Sequence, residues 1–341
     1  MLKNTQLMRK PSEPMLKKHF LILVLFVLYG SAPLADAQTK RIAVAYSAVS
    51  ATQSSFFVTK EGGYFEKHGL YVDPVYVASG TKVAQAVIAG EFPVALAGGT
   101  VVNATLAGGD IVIIGGLVNV PSFYVYVHPS IKRPEDFKGK SIGITTYGSF
   151  TDFSIRYLIK KWGMEPDRDI KVLQMGGQPQ IVAAMVGGSV QGGVLSSPSD
   201  YKAKKAGFQL LTDFKTVGLD YPTVSLVSTR SFIKKDPQTV RRFMMAYSEG
   251  VERLYRDKEF TMKVIGKYTK TDDREGLESA FGFATTFIER PPHLPYKAVE
   301  TILAQIAEKD PKVKEHKADE FIDPTFYNEM EKSGFFKNIA R

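Results

Sequence analysis

A short turn at residues 146–149 carries the clearest chemistry in the sequence. It reads Thr-Tyr-Gly-Ser and joins a β-branched run at 141–145, which predicts a strand, to an apolar-periodic segment at 150–162, which predicts a helix. The first N–H groups of a helix have no partner within the helix, and the helix dipole places partial positive charge there. Glycine permits close approach and serine adds a donor, so the turn can hold an anionic group. The alternative is that Ser149 or Thr151 only caps the helix.

The same combination of strand exit, small residues and helix start occurs earlier in the chain. Gly80 and Thr81 open one predicted helix, and Gly99 and Thr100 follow the predicted strand at 94–97. Each of these positions offers backbone N–H groups and a hydroxyl at the start of a helix. We therefore expect them to contribute to the same kind of site.

A weak internal repeat relates the two halves of this region. At a constant offset of 98 residues, the order of helix, glycine turn and strand at 86–97 recurs at 184–195. The repeat places Ser196 and Ser197 at the exit of the second strand. The pattern predicts two similar lobes whose helix N-termini and hydroxyls face each other.

Strand and helix signals alternate through the first two thirds of the chain after residue 38, and helical periodicity dominates the last third. The predicted strands are 41–46, 71–77, 94–97, 111–114, 123–127, 141–145, 170–173, 193–195 and 221–229, with a break at 115–116 and a helix at 179–186 after the strand at 170–173. The strands are too apolar to face water on either side, which predicts mostly parallel sheets covered by helices. Ligands of such sheets bind beyond the carboxyl ends of the strands. We expect an α/β protein in which 38–120 and 231–341 form the first lobe and 121–230 the second. The aromatic stripe at 240–255 is expected to face a core.

Residues 1–37 predict a secretory signal peptide. Lys17 and Lys18 precede an apolar run at 20–29, and Ala35-Asp36-Ala37 has the small-x-small pattern of a cleavage site. The run is too short for a permanent span, which takes roughly 20 residues, although a retained anchor is the alternative. The chain has no cysteine, so a disulfide and a lipid-modified N-terminal cysteine are both excluded. We expect a periplasmic protein of a Gram-negative cell.

The formal net charge of +9 is spread along the chain. The predicted signal peptide holds five basic and two acidic residues, so +6 remains after its removal. The densest basic group, at 202–205, predicts a solvated helix face, and no nucleic-acid partner is expected. A mild positive field still raises the encounter rate of an anionic ligand.

Sequence motifs of the common catalytic sites are absent. No two glycines are spaced i,i+2, which excludes the G-x-G-x-x-G dinucleotide loop, and the G-x-x-x-x-G-K, G-x-S-x-G and H-E-x-x-H patterns do not occur. The four histidines that follow the predicted signal peptide, at 68, 128, 293 and 316, are far apart in the sequence. We expect no enzyme activity, no cofactor and no metal site.

Three segments carry a resemblance to a known family. These are GGYFEKHGL at 62–70, GEFPVALAGGT at 90–100 and SIKRPEDFKGKSIGI at 130–144. They resemble the substrate-binding proteins of bacterial ABC importers, in the branch that serves nitrate, sulfonates, taurine and thiamine-pyrimidine precursors. The resemblance implies a bilobal type II periplasmic-binding fold, in which two mostly parallel sheets, each flanked by helices, are joined by two hinge segments. The lobes would close on a small ligand and deliver it to a membrane permease.

The resemblance also implies where the ligand lies. It places contacts in the loop after the first strand, at the end of the third strand, in the turn at 146–149 and at the exit of the matching second-lobe strand. Aromatic cleft candidates are Tyr46, Phe56, Phe57, Tyr147, Phe150 and Tyr221, each of which could instead belong to a core. The predicted ligand-binding residues are Ser47, Gln53, Ser54, Phe56, Gly80, Thr81, Gly99, Thr100, Tyr147, Gly148, Ser149, Ser196, Ser197 and Tyr221.

The sequence therefore predicts a monomeric binding protein that captures a small organic anion or zwitterion, similar to a sulfonate or taurine. Aromatic walls favour an organic body over a bare ion. Whether Arg156 or Arg290 contacts the ligand stays open. The alternative function is an enzyme on the same fold that acts on a pyrimidine or menaquinone precursor.

Overall fold

The computed structural model describes residues 39–341, except residues 219 and 309, and the predicted signal peptide lies outside this range. Residues 39–341 form one compact unit. In chain order its strands are β1 (Lys40–Tyr46), β2 (Leu70–Tyr76), β3 (Val94–Ala97), β4 (Val112–Val118), β5 (Tyr124–Val127), β6 (Ser141–Ile144), β7 (Lys171–Gln174), β8 (Gly192–Leu195), β9 (Gln209–Asp213) and β10 (Val224–Ser228).

Helices follow most of the strands and make up nearly all of the last third. They are α1 (Ser54–Glu61), α2 (Tyr64–Lys67), α3 (Gly80–Ile88), α4 (Thr100–Leu106), α5 (Phe150–Lys161), α6 (Gln178–Val186), α7 (Ser199–Lys205), α8 (Arg230–Lys235), α9 (Pro237–Arg256), α10 (Lys258–Thr269), α11 (Arg274–Phe287), α12 (Tyr296–Ala307), α13 (Thr325–Lys332) and α14 (Phe335–Ile339). Short 3₁₀ helices lie at Ala51–Gln53, Pro134–Phe137, Phe214–Val217, Pro311–Glu315 and Ala318–Glu320. Among the described residues, no helix is both long and apolar enough to cross a membrane.

Two five-stranded sheets share one topology. The first has the order β2-β1-β3-β10-β4 and the second β7-β6-β8-β5-β9. In the first sheet β10 is antiparallel to both neighbours, and in the second β5 is. The chain crosses between the sheets twice, from β4 to β5 and from β9 to β10, and each crossing delivers the antiparallel strand. The prediction of two mostly parallel sheets joined by two connecting segments is confirmed. We call the first sheet with its packed helices the first lobe, and the second sheet with its helices the second lobe.

Apolar side chains cover both faces of each sheet. In the first sheet Val44 and Leu96 belong to one buried cluster, and Ala45 and Ala95 belong to the other, because successive strand residues point to opposite faces. The second sheet is likewise covered by two clusters. The aromatic stripe of α9 lies in the first of these cores, so the prediction that it packs against a core is confirmed.

Three sequence-based boundaries need correction. The structure has a strand, β9, where none was predicted, and β4 continues through Gly115 and Gly116, where we predicted a break. Strand β10 was predicted within the second lobe, 121–230, but it pairs with β3 and β4 in the first sheet. The boundary at 230 is therefore wrong for this strand, and the remaining lobe limits stay a prediction.

Candidate functional site

A cavity of ≈ 60 Å³ lies where the carboxyl ends of the parallel strands of both sheets meet. Its walls come from loops after β1, β2, β3, β6 and β7 and from the segments that lead into β5 and β10. The position is the one expected for a ligand site in open α/β sheets. The lining residues are Ser47, Ala48, Ser50, Thr52, Gln53, Ser79, Gly80, Gly98, Gly99, Thr100, Phe123, Thr145, Ser149, Phe150, Thr151, Gln178, Tyr221, Thr223 and Val224.

Gln53 fixes the loop that leaves β1. Its Oε1 accepts hydrogen bonds from the backbone N–H groups of Ser47 at 3.1 Å and Ala48 at 3.2 Å. Its Nε2 donates to Ser47 Oγ at 2.7 Å. Gln53 is only 3% exposed, so this amide is held within the cavity wall.

Two buried hydroxyls on the first-lobe wall have no hydrogen-bond partner among the described residues. They are Ser79 Oγ, just before α3, and Thr100 Oγ1, in the first turn of α4. Both residues line the cavity and are about 95% buried, with exposures of 5% and 6%. A buried hydroxyl without a partner is costly, so these two groups are available to bond to a molecule in the cavity.

Glycines let the backbone and the hydroxyls come close together here. A Cβ on Gly80 would lie 3.0 Å from Thr100 Oγ1, and a Cβ on Gly99 would lie 2.6 Å from the ring of Tyr221. Burial raises the pKa of the Tyr221 phenol, so this residue presents a neutral hydroxyl. Its ring lies 4.5 Å from that of Phe150, which in turn lies 4.8 Å from Phe123, and the three rings form the apolar wall.

The second-lobe wall begins with a triangle of hydroxyls. Thr145 Oγ1 lies 2.9 Å from both Ser149 Oγ and Thr151 Oγ1, and the last two are 2.8 Å apart. Ser149 precedes α5, but its side chain makes no capping hydrogen bond. Asp152 Oδ2 instead accepts the N–H of Gly148 at 2.9 Å. Capping by Ser149 is thus wrong, and the carboxylate of Asp152 occupies part of the helix terminus.

Gln178, at the start of α6, completes this wall. Its Oε1 accepts the backbone N–H of Ser196 at 2.7 Å, and its Nε2 lies 2.9 Å from Ser196 Oγ. The arrangement resembles that of Gln53, because an amide side chain on the cavity wall anchors the exit of a strand.

Charged side chains do not line the cavity. Arg156 binds Asp152 and Asp167, each at 2.6 Å, and Arg290 lies over the ring of Tyr255 at 4.2 Å. Neither arginine left open by the sequence is therefore a wall residue. Across the residues that the structure describes, no group of three metal-binding side chains is found.

Contacts across the cleft hold the two lobes together. The N–H of Ala51 donates to the carbonyl of Ser197 at 2.7 Å, next to the cavity. Farther away, Tyr201 of α7 donates to Asp273 at 2.8 Å, and Lys205 lies 3.0 Å from Glu275 of α11. These contacts describe a closed arrangement of the lobes.

Comparison with known proteins agrees with this geometry. A family model described as NMT1/THI5 like matches residues 51–259. The chain belongs to this family.

Two relatives and one solved structure illustrate the likeness. The nitrate/nitrite binding protein NrtA of Nostoc sp. is 29% identical over 123 residues, which cover 36% of this chain and 28% of that protein. A putative ABC transporter periplasmic binding protein of Brachyspira hyodysenteriae is 23% identical over 281 residues, 76% of this chain and 79% of the relative. The alkanesulfonate-binding protein SsuA from Xanthomonas axonopodis pv. citri, bound to MOPS, has a TM-score of 0.69 at 19% identity, covering 83% of this chain and 98% of that one. The predicted family resemblance and fold are confirmed.

Half of the predicted site residues line the cavity of this NMT1/THI5-like protein. They are Ser47, Gln53, Gly80, Gly99, Thr100, Ser149 and Tyr221. Their assignment as ligand contacts stays a prediction.

The other half lie outside the cavity wall, for different reasons. Phe56 is fully buried against Tyr46 and Phe57 in the first core, so its assignment to the cleft is wrong, and these two rings are not wall residues either. Tyr147 is 52% exposed, with Arg156 beside its ring. The remaining residues surround the cavity without lining it; they are Ser54, Thr81, Gly148, Ser196 and Ser197.

The sequence-based list of site residues lacked several wall residues. Ser79, Thr145 and Thr151 are hydroxyls next to predicted positions, so a wider window at each strand exit would have included them. Gln178 follows a predicted strand at the start of a predicted helix, the signal used elsewhere. Phe123 and Thr223 lie where the chain crosses between lobes, and no local pattern indicates that they face a cavity.

Proposed function

We propose that this protein is the substrate-binding component of an ABC importer of the nitrate/sulfonate type. It captures a small organic anion between its lobes in the periplasm and delivers it to a membrane permease. The observation that carries the proposal is the half-open cavity between the two lobes with two unpartnered hydroxyls, Ser79 Oγ and Thr100 Oγ1. The named relatives among nitrate-binding, sulfonate-binding and ABC transporter proteins support the same assignment.

The chemistry of the wall favours an anionic group. Helices α3 and α6 start at the cavity without an acidic residue in the first turn, and their first N–H groups carry partial positive charge. Hydroxyls from both lobes add donors, and no carboxylate lines the wall. An oxyanion that accepts hydrogen bonds from both lobes therefore stabilises the closed form, so the ligand shifts the equilibrium between open and closed states.

The size of the cavity limits the ligand. A volume of ≈ 60 Å³ is less than half of the ~150 Å³ that admits benzene in an engineered protein cavity. The ring wall of Phe123, Phe150 and Tyr221 suits a short apolar group beside the anionic head. We propose a sulfonate or carboxylate of one or two carbons, and nitrate is the competing ligand.

Binding without turnover fits the wall better than catalysis. The lining residues include no histidine, carboxylate or lysine that could act as a general base, and the hydroxyls of Thr145, Ser149 and Thr151 bond to one another. An enzyme acting on a pyrimidine precursor would need such a group near its substrate. The observation favours a binding protein.

A thermal-shift screen tests the proposal. Residues 38–341 are titrated with methanesulfonate, taurine, acetate, nitrate and a pyrimidine such as thiamine's aminopyrimidine. A ligand at 100 times its dissociation constant adds about 2.7 kcal/mol to the free energy of unfolding. Stabilisation by a sulfonate or carboxylate supports the proposal. Stabilisation by the pyrimidine alone, or its conversion to a product, contradicts it.

A further inference from the structure

Gln53 has only one possible amide orientation in the structure. Two backbone N–H groups, from Ser47 and Ala48, point at one end of its amide, at 3.1 and 3.2 Å. Only an oxygen accepts both, so that end is Oε1 and the other end is the NH₂ group. The orientation therefore follows from the positions of the two backbone N–H groups.

The orientation of the amide decides the role of the Ser47 hydroxyl. Nε2 donates to Ser47 Oγ at 2.7 Å, so this oxygen is an acceptor toward Gln53. Its own hydrogen must point in another direction, and Ser47 lines the cavity. Within the described residues, Ser47 Oγ has no second hydrogen-bond partner.

The amide oxygens of the cavity wall are already occupied as acceptors. Gln53 Oε1 is saturated by two N–H groups, and Gln178 Oε1 is engaged with Ser196 on the opposite wall at 2.7 Å. With both amide oxygens engaged and no carboxylate on the wall, the wall side chains offer a ligand no carboxylate oxygen and no free amide oxygen.

We propose that Gln53 is a positioning residue that turns the Ser47 hydroxyl into a donor aimed at the cavity, and that the protein thereby selects oxyanions that carry no proton. This inference rests on the proposed function and adds the chemical class of the head group. A sulfonate or nitrate fits such a wall, whereas a protonated acid would place its O–H against donors.

The isosteric variant Q53E tests the role of Gln53. One carboxylate oxygen can still accept the two N–H groups, but the other now accepts the Ser47 hydroxyl and turns its hydrogen away from the cavity. We expect Q53E to weaken binding of methanesulfonate, taurine and nitrate at least tenfold at neutral pH, measured by calorimetry. Binding should recover as the pH is lowered, because the protonated carboxyl donates to Ser47 Oγ as the amide does.

A double-mutant cycle with S47A separates this effect from the added charge. If Gln53 acts through Ser47, Q53E costs at least threefold less in the S47A background than in the wild type, and the recovery at low pH is smaller there. An equal cost in both backgrounds overturns the inference. Q178E serves as the matched control, since it adds the same charge to the opposite wall but holds a serine that does not line the cavity; it should show no coupling to S47A.

A measurement without ligand keeps the two proposals distinguishable. Amide hydrogen exchange at Ser47 and Ala48 should be slow in the wild type and at least tenfold faster in Q53L, which removes their acceptor. Unprotected amides in the wild type overturn the inference even if ligands bind. If methanesulfonate, taurine and nitrate all fail to bind, the proposed ligand class is wrong. The donor role of Ser47 is then also wrong, whatever the rates of amide exchange at Ser47 and Ala48.

Discussion

The backbone N–H of Ala51 donates to the carbonyl of Ser197 at 2.7 Å, and this hydrogen bond joins the loop after β1 to the loop after β8. The two loops follow strands of different sheets. The bond lies beside the cavity, where a ligand would contact the same loops. It is therefore expected to form when the lobes close.

Replacing Ala51 by proline tests this closing contact. Proline has no N–H, and its ring would meet the carbonyl of Ser197 when the lobes are closed. Ala51 is the first residue of a short helix, a position that accepts proline, so the first lobe itself should still fold. We expect A51P to fold but to bind the ligand more than tenfold more weakly, because one net hydrogen bond of about 1 kcal/mol is lost and the ring obstructs closure. Calorimetry measures the affinity, and small-angle scattering measures whether ligand still compacts the protein.

A51G is the matched control for this change. It keeps the N–H and removes only the methyl group, so affinity and ligand-induced compaction should stay close to those of the wild type. Equal affinity of A51P and A51G would show that the bond between Ala51 and Ser197 plays no part in closure.

Local patterns in the sequence were sufficient for the parts of the site that lie at strand exits. Gly80, Thr100 and Ser149 were predicted because a glycine or hydroxyl between a strand and a helix has a direct physical use, and all three line the cavity. The family resemblance added the loop that contains Ser47 and Gln53. Sheet order was implied by that resemblance and could not be derived from periodicity alone.

The sequence-based predictions that were wrong share one cause: each depends on contacts between residues that are far apart in the chain. Strand β10 follows second-lobe residues in the chain, but its partners, β3 and β4, lie more than 100 residues earlier, so pairing decides its lobe. Strand β9 is partly exposed at the edge of its sheet and has a weak apolar pattern. Phe56 reads as a cleft aromatic by position, but it belongs to a helix face that packs into the core.

The unpartnered hydroxyl of Thr100 gives a prediction with opposite effects on stability and binding. T100V keeps the shape and removes the hydroxyl. In the absence of ligand its free energy of unfolding should be unchanged or higher, because no hydrogen bond is lost. Ligand affinity should fall by about 1–2 kcal/mol, or five- to thirtyfold, as for a hydrogen bond to a charged group. Urea denaturation and calorimetry measure the two effects.

Ser225 supplies the control for this prediction. Its hydroxyl is also buried and unpartnered, but it lies within β10 and does not line the cavity. S225A should therefore leave affinity within about twofold, since its hydroxyl is not part of the cavity wall. If T100V and S225A bind ligand equally well, Thr100 does not contact it.

The pair of Lys205 and Glu275 predicts an electrostatic contribution to closure. The two side chains lie 3.0 Å apart on α7 and α11, which pack against different sheets. We expect E275K to weaken ligand binding about two- to fivefold at low salt, because it places two positive charges side by side. The double variant K205E/E275K should restore the affinity. Both the loss and its restoration should vanish near 0.5 M salt, where charges are screened. R274E is the control, because Arg274 pairs with Glu259 and Glu278 within the first lobe. Equal salt-sensitive losses in E275K and R274E would contradict a specific role of the Lys205–Glu275 pair.

Asp200 predicts a pH dependence of stability. It lies in the first turn of α7, is 8% exposed, and its Oδ1 has no partner among the described residues. Burial raises the pKa of this carboxyl. Because the folded-state pKa lies above the unfolded value of about 3.9, the folded state loses stability as the pH rises through this range and the loss is complete above the folded pKa. D200N cannot ionise, so at neutral pH its free energy of unfolding should exceed that of the wild type. Urea denaturation at about pH 3 and pH 7 measures the difference, which should be present at pH 7 and absent at pH 3, below both pKa values. A variant that is less stable than the wild type at pH 7 would mean that the ionised carboxylate is stabilised in the fold and that its pKa is not raised.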